Sequence, residues 1–241
     1  MNPLLVTSLA VAGLVIGRGQ RAVVFRYAVP AGEMPRRCCP ACGQQPSAAR
    51  QMALAWSARC LACGQRSGPP PLAVEITTAL LLAALAARVH PDLVLAAACW
   101  LALWAVPLAF IDAEVRRLPD VLTATAFAGT ALLLLAAAAA SGDWHALAWA
   151  VLGGIALAGF YLLLALISPS GMGMSDVKAA AGLGTMLAWR GWSALIAGGF
   201  AGFMFAAICG IALIMSGRAT RKQQIPFGPF MIAGAFLVML A

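Results

Sequence analysis

Charged residues are scarce in this chain: Asp, Glu, Lys and Arg together make up 10% of its 241 residues. The surface of an ordinary soluble domain draws on about 25%, so a freely water-soluble globule is excluded. Acids are rarer still, eight against sixteen Lys and Arg, and histidine occurs only as His90 and His145. Neither histidine has an identifiable partner, so no Ser-His-Asp arrangement and no His-rich metal motif is present. A glycine-rich phosphate loop is absent too. What fills the chain is hydrocarbon: 63% apolar residues and a mean hydropathy of +0.91, the composition of an integral membrane protein.

The net charge of +8 invites a nucleic-acid partner, but the placement of the charge excludes it. Eight of the sixteen basic residues, from Arg18 to Arg66, lie between the first two apolar runs. That asymmetry is the orientation signal of a membrane protein, which keeps Arg and Lys in the cytoplasm. Residues 3–17 form the first run, with no Lys or Arg before it. It reads as a membrane helix with its N-terminus outside, extending with some tilt to about residue 25, and not as a cleaved signal. Further runs follow at 72–88, 92–111, 119–140, 144–167, 176–190, 191–215 and 226–241. The expected fold is an all-α polytopic membrane protein of about eight transmembrane helices. Its expected parts are a first helix at 1–17, a cytoplasmic loop domain at 18–71 and a membrane domain at 72–241. Alternating the helices from a cytoplasmic loop puts fourteen basic residues inside and only Arg88 and Arg190 outside, a coherent topology.

The polar loop carries Cys39-Pro-Ala-Cys42-Gly43 and Cys60-Leu-Ala-Cys63-Gly64, with 17 residues between the two pairs. Two such knuckles point to four thiolates around Zn²⁺, each trailing glycine serving the tight turn. Two disulfides or a redox dithiol are the rivals. A reducing cytoplasmic face disfavours the first, and the missing β-α unit disfavours the second. Four thiolates leave no open position for water, so the zinc is expected to be structural. Cys38 is out of register, and Cys99 and Cys209 sit in apolar runs as small hydrophobes.

Gly171-Met172-Gly173-Met174-Ser175-Asp176-Val177-Lys178 lies between two apolar runs, which puts a carboxylate at the edge of a hydrocarbon layer. Glycines there let the backbone bend or approach another chain closely. Capping of the next helix by Ser175 and Asp176 is the plainer alternative. A second acid, Asp112, lies 64 residues earlier at a helix end on the same expected face. Two carboxylates in one small space cannot both ionise easily. One ionised and one protonated acid would activate a water and polarise a peptide carbonyl, the chemistry of an aspartic protease. Lys178 either snorkels to the cytoplasm or sits beside the pair. Asp120, after Pro119, reads as a helix start, and Glu75 as an interfacial cap or a functional acid.

These motifs, taken in order, resemble the type IV prepilin peptidases, membrane aspartic proteases of the G-x-G-D class. The resemblance rests on the two cysteine knuckles, Pro71-Leu-Ala-Val-Glu75, Ile111-Asp112 through Leu118-Pro119-Asp120, Gly171 to Lys178, and Pro226-Phe227-Gly228-Pro229-Phe230. It implies Asp112 and Asp176 as catalytic aspartates, with Gly173 and Lys178 supporting them and Cys39, Cys42, Cys60 and Cys63 holding zinc. Members cut the basic leader from type IV prepilins and pseudoprepilins after a glycine, at the cytoplasmic face of the bacterial inner membrane. They serve pili and type II secretion, and many N-methylate the new terminus, typically Phe, with S-adenosylmethionine. This chain departs from the signature at Ser175, where a glycine is usual, and its 43–59 stretch is poor in the usual aromatics. A proton-coupled transporter and a non-catalytic zinc-loop assembly protein are the other function classes.

Overall fold

The computed structural model describes the chain apart from residues 1–2, 31, 45–58, 61, 66–67, 91, 169–171 and 219–224. Among the described residues there are eight α-helices, and the protein is all-α. They are α1 (Pro3–Tyr27), α2 (Ala73–Arg88), α3 (Asp92–Val115), α4 (Asp120–Ser141), α5 (Trp144–Ile167), α6 (Met174–Trp189), α7 (Trp192–Met215) and α8 (Gly228–Leu240). Five of them, α1, α3, α4, α5 and α7, are long and apolar enough to cross a membrane. Together these make it a multi-pass membrane protein.

Helix α1 runs on to Tyr27, close to the extension to about residue 25 that the sequence suggests. The reason is local: Val23, Val24 and Phe25 carry the apolar pattern forward, and Arg21 finds a buried partner. Helices α2, α6 and α8, with 16, 16 and 13 residues, are shorter than the ~20 needed to span the hydrocarbon. They compensate by being wrapped. Helix α6 packs against α3, α4, α5, α7 and α8, and most of its residues from Asp176 to Ala188 are buried.

Glycine sets the close approaches. In a bilayer helices associate by van der Waals fit, and small residues let backbones touch. A Cβ at Gly17 of α1 would sit 2.5 Å from Glu75 Cα, and one at Gly234 of α8 would sit 2.4 Å from Gly202 N of α7. These pairs join α1 to α2 and α7 to α8. Longer residues at either position would force the helices apart.

A polar network ties α1, α2 and α3 together inside this packing. Arg21 and Glu75, 2% and 3% exposed, form a buried ion pair. Next to it Thr78 Oγ1 donates to Gln20 Oε1 at 2.5 Å, and Gln20 Nε2 donates to the carbonyl of Leu103 at 2.7 Å. That carbonyl needs an outside donor. Its helical partner would be the amide of residue 107, which is Pro107 and has none. Gln20 therefore supplies the hydrogen bond that proline removes, on the helix that carries Asp112.

At the far end Arg88 and Arg190 both donate to the last carbonyls of α8, those of Leu240 and Met239. Cations at a helix C-terminus meet its negative dipole end. These are the two basic residues expected on the side opposite the cysteine loop.

Candidate active site

Helix α3 delivers Asp112 one turn before its end, where Arg116, in the left-handed region at φ 53°, stops the helix. Helix α6 delivers Asp176 in its first turn. The two carboxyl groups are 3% and 6% exposed, and they lie near enough for the charge of Asp176 to act on Asp112. Topology thus brings together two acids from distant helices.

Each acid is held by a glycine amide at a helix N-terminus. Asp112 Oδ2 accepts from Gly228 N at 2.9 Å, at the start of α8. Asp176 Oδ2 accepts from Gly173 N at 3.0 Å, at the start of α6. The free amides and positive dipole end of a helix favour a carboxylate there. Capping and site formation are therefore the same contact at Asp176. Gly228 has no substitute at its position, since a Cβ would lie 2.7 Å from Asp112 Oδ2. It was visible in the Pro226–Phe230 motif, but sequence gave it no role. Ser175 sits within the first turn of α6 and is not among the residues with positive φ. Serine is thus comfortable at this position.

Lys178 turns away from this pair. Its Nζ binds Asp120 Oδ1 at 2.8 Å, with the two side chains 51% and 70% exposed. Asp120 is also the first residue of α4, as its position after Pro119 indicates. Glu75, read as a cap or a functional acid, is engaged by Arg21. Residues 169–171 of the glycine-rich approach lie outside the described residues.

Sequence reasoning missed Tyr161, one of only two tyrosines in the chain. Its ring packs at 5.6 Å from Phe203 and 5.7 Å from Phe227, centroid to centroid. Its hydroxyl is buried without a hydrogen-bond partner among the described residues. A polar hydroxyl inside an otherwise apolar helix was the available signal.

The cysteine knuckles form a second cluster. The Sγ atoms of Cys39, Cys42, Cys60 and Cys63 lie within 4.8 Å of one another. Cys39 and Cys63 are 3.8 Å apart, as are Cys42 and Cys60. Four sulfurs at ~2.3 Å from a tetrahedral zinc would be separated by about 3.8 Å, so the donor set fits. Both knuckles fold alike: Gly43 N bonds Cys39 O at 2.9 Å and Gly64 N bonds Cys60 O at 2.8 Å. Gly43 and Gly64 hold φ of 67° and 70°, a region that glycine enters freely. Amides of Cys63 and Ala62 pull the Cys60 thiol down to about 6. At Cys42 the Gln44 amide is outweighed by burial and the neighbouring thiols, which push that thiol up to about 11. The four sulfurs thus titrate as one crowded set. Cys38, Cys99 and Cys209 stand outside the cluster.

A bundle of membrane helices with two buried acids, each on a glycine amide, defines the class: a polytopic membrane protein with a carboxylate pair. Residues 95–216, which include both acids, match the type IV leader peptidase family. The prepilin leader peptidase/N-methyltransferase of Aeromonas hydrophila is 34% identical over 219 residues, covering 86% of this chain and 72% of that protein. That of Aeromonas salmonicida strain A449 is 33% identical over 218 residues with the same coverage. A protein of that name from Bacillus subtilis strain 168 is 28% identical over 212 residues, covering 86% and 82%. The chain belongs to the type IV leader peptidase family and is a peptidase. No solved structure matches it.

Proposed function

We propose that this chain removes the basic leader from type IV prepilins or pseudoprepilins at the cytoplasmic face of the bacterial inner membrane, using Asp112 and Asp176. The observation that carries the proposal is the pairing itself: two buried acids from α3 and α6, each held by a glycine amide, inside the family match. The relatives' shared name supplies the substrate class. Positive charge gathered on the cysteine-loop side supports the cytoplasmic orientation.

In this reading the dyad carries one proton. The ionised acid takes a proton from water as its oxygen attacks the scissile carbonyl carbon. The carbonyl π pair moves to oxygen, which takes the proton of the partner acid and gives a gem-diol. One hydroxyl then returns its proton to the dyad, the C–N bond breaks, and the leaving nitrogen takes a proton from the other acid. The pair ends with one proton, as it began.

The knuckles Cys39, Cys42, Cys60 and Cys63 would hold a zinc ion whose four positions are all taken. Such a metal folds a small loop and supplies no catalytic water. The segment between α1 and α2 then serves as a cytoplasmic cap on the peptidase domain at 72–241. Methylation of the new terminus is the second activity in the relatives' name. S-adenosylmethionine would be the methyl donor for that activity, while the described cysteines supply a metal's donor set.

The testing experiment incubates purified protein with a prepilin in lipid vesicles and reads the product by mass spectrometry. The proposal expects loss of the leader and reads any added methyl group in the same spectrum. Intact prepilin under all conditions rejects it.

A further inference from the structure

Among the described residues one buried hydroxyl goes unused by the fold. Tyr161 of α5 is fully buried, yet its oxygen lacks a hydrogen-bond partner among the described residues. Phenylalanine would give the same packing without a buried hydroxyl left unpaired. Such an orphan belongs to a site that is completed by something else.

Its surroundings say which site. The Tyr161 ring is clamped between Phe160, Phe203 and Phe227, with centroids 5.6–5.9 Å away. Phe227 directly precedes Gly228, whose amide holds Asp112. The hydroxyl also lies within electrostatic reach of Asp176. Phe160 and Phe203, which pack against the Tyr161 ring, also line an apolar cavity of about 330 Å³ between α5 and α7, with Leu157 and Phe200. The donor is therefore held by the same aromatic cluster that abuts the Asp112 anchor at Gly228 and borders this cavity.

We propose that Tyr161 is a catalytic residue whose hydroxyl donates a hydrogen bond to the main-chain carbonyl oxygen of the scissile peptide of a membrane-inserted substrate. It rests on the dyad reading and adds a third group to it. The phenol keeps its proton throughout. As water adds to the carbonyl carbon and charge builds on oxygen, the Tyr161 O–H shortens its contact with that oxygen while the partner acid protonates it. Donors aimed at developing charge lower the barrier more than they strengthen substrate binding.

The test is Tyr161→Phe in the full-length protein, assayed on prepilin vesicles for kcat and KM across pH, with thermal unfolding measured alongside. Asp112→Asn and Asp176→Asn are run in the same assay. Removing one such donor costs roughly 10²–10³ in kcat, and a shared carbonyl places the expected loss for Y161F near the lower figure. KM and the pH profile stay unchanged, and the unfolding temperature is equal or higher because an orphan hydroxyl has been removed. Wild-type kcat in Y161F, with both Asp variants inactive, overturns the Tyr161 assignment and leaves the dyad standing. A pH profile that shifts, with full rate regained at another pH, also overturns it, since the hydroxyl would then act only on Asp176. Cleavage by the Asp variants overturns the dyad reading instead.

Discussion

Asp112 Oδ2 accepts a hydrogen bond from the amide of Gly228 at 2.9 Å, across 116 residues of chain. The contact couples the end of α3 to the start of α8. It depends on the missing side chain at 228, because a Cβ there would lie 2.7 Å from the same oxygen. Gly173 faces a looser setting, with its nearest such contact, Ser175 Oγ, at 3.3 Å.

The two glycines are therefore expected to respond differently. Gly228→Ala pushes the Asp112 carboxyl off its amide and should lower prepilin cleavage by about 10²-fold, in line with small displacements at reacting groups. Gly173→Ala should cost much less, because Ser175 Oγ can rotate aside. Initial cleavage rates of the two variants, at matched protein levels, check the ranking. Equal losses would count against it.

The Arg21–Glu75 pair is a stability prediction. Removing one partner strands a buried charge, at a cost of about 3–5 kcal/mol. Glu75→Leu or Arg21→Met alone should lower the unfolding temperature in detergent sharply. The double variant Arg21→Met with Glu75→Leu should recover much of the loss, because an apolar pair strands nothing. Thermal unfolding of all three reads this directly.

Helix positions were legible because long apolar runs allow few other structures in a membrane protein. The cysteine cluster was legible because its spacing is local. Contacts across the bundle were not. Arg21 looked like part of a cytoplasmic charge block, and only the approach of α1 to α2 through Gly13 and Gly17 buries it. Lys178 read either as a snorkelling cation or as a companion of Asp176, two residues before it. About half a helix turn on, its exposed ammonium meets Asp120. Tyr161 and Gly228 were visible, as a hydroxyl in an apolar run and as part of the Pro226–Phe230 motif. Each gains a role only once α5, α7 and α8 are packed, through neighbours far along the chain.

Zinc content separates the cysteines. Cys39→Ser, Cys42→Ser, Cys60→Ser and Cys63→Ser should each lose stoichiometric zinc, as removing one thiolate opens a four-coordinate site. Cys38→Ser, next to the first knuckle but outside the cluster, should keep it. Metal analysis of the purified variants checks both expectations. Zinc lost from C38S and retained in C39S would put the ligand at the neighbouring position.

The central claim is that Asp112 and Asp176 act as one proton-sharing unit, and a mutant cycle measures this most directly. Prepilin cleavage is followed for Asp112→Asn, Asp176→Asn and the double variant, with unfolding temperature and zinc content as controls for folding. Groups that work as a unit lose activity together, so each single variant should fall to the residual rate of the double. A single variant that still removes the leader efficiently, or two partial losses that add in the double, would contradict a shared dyad.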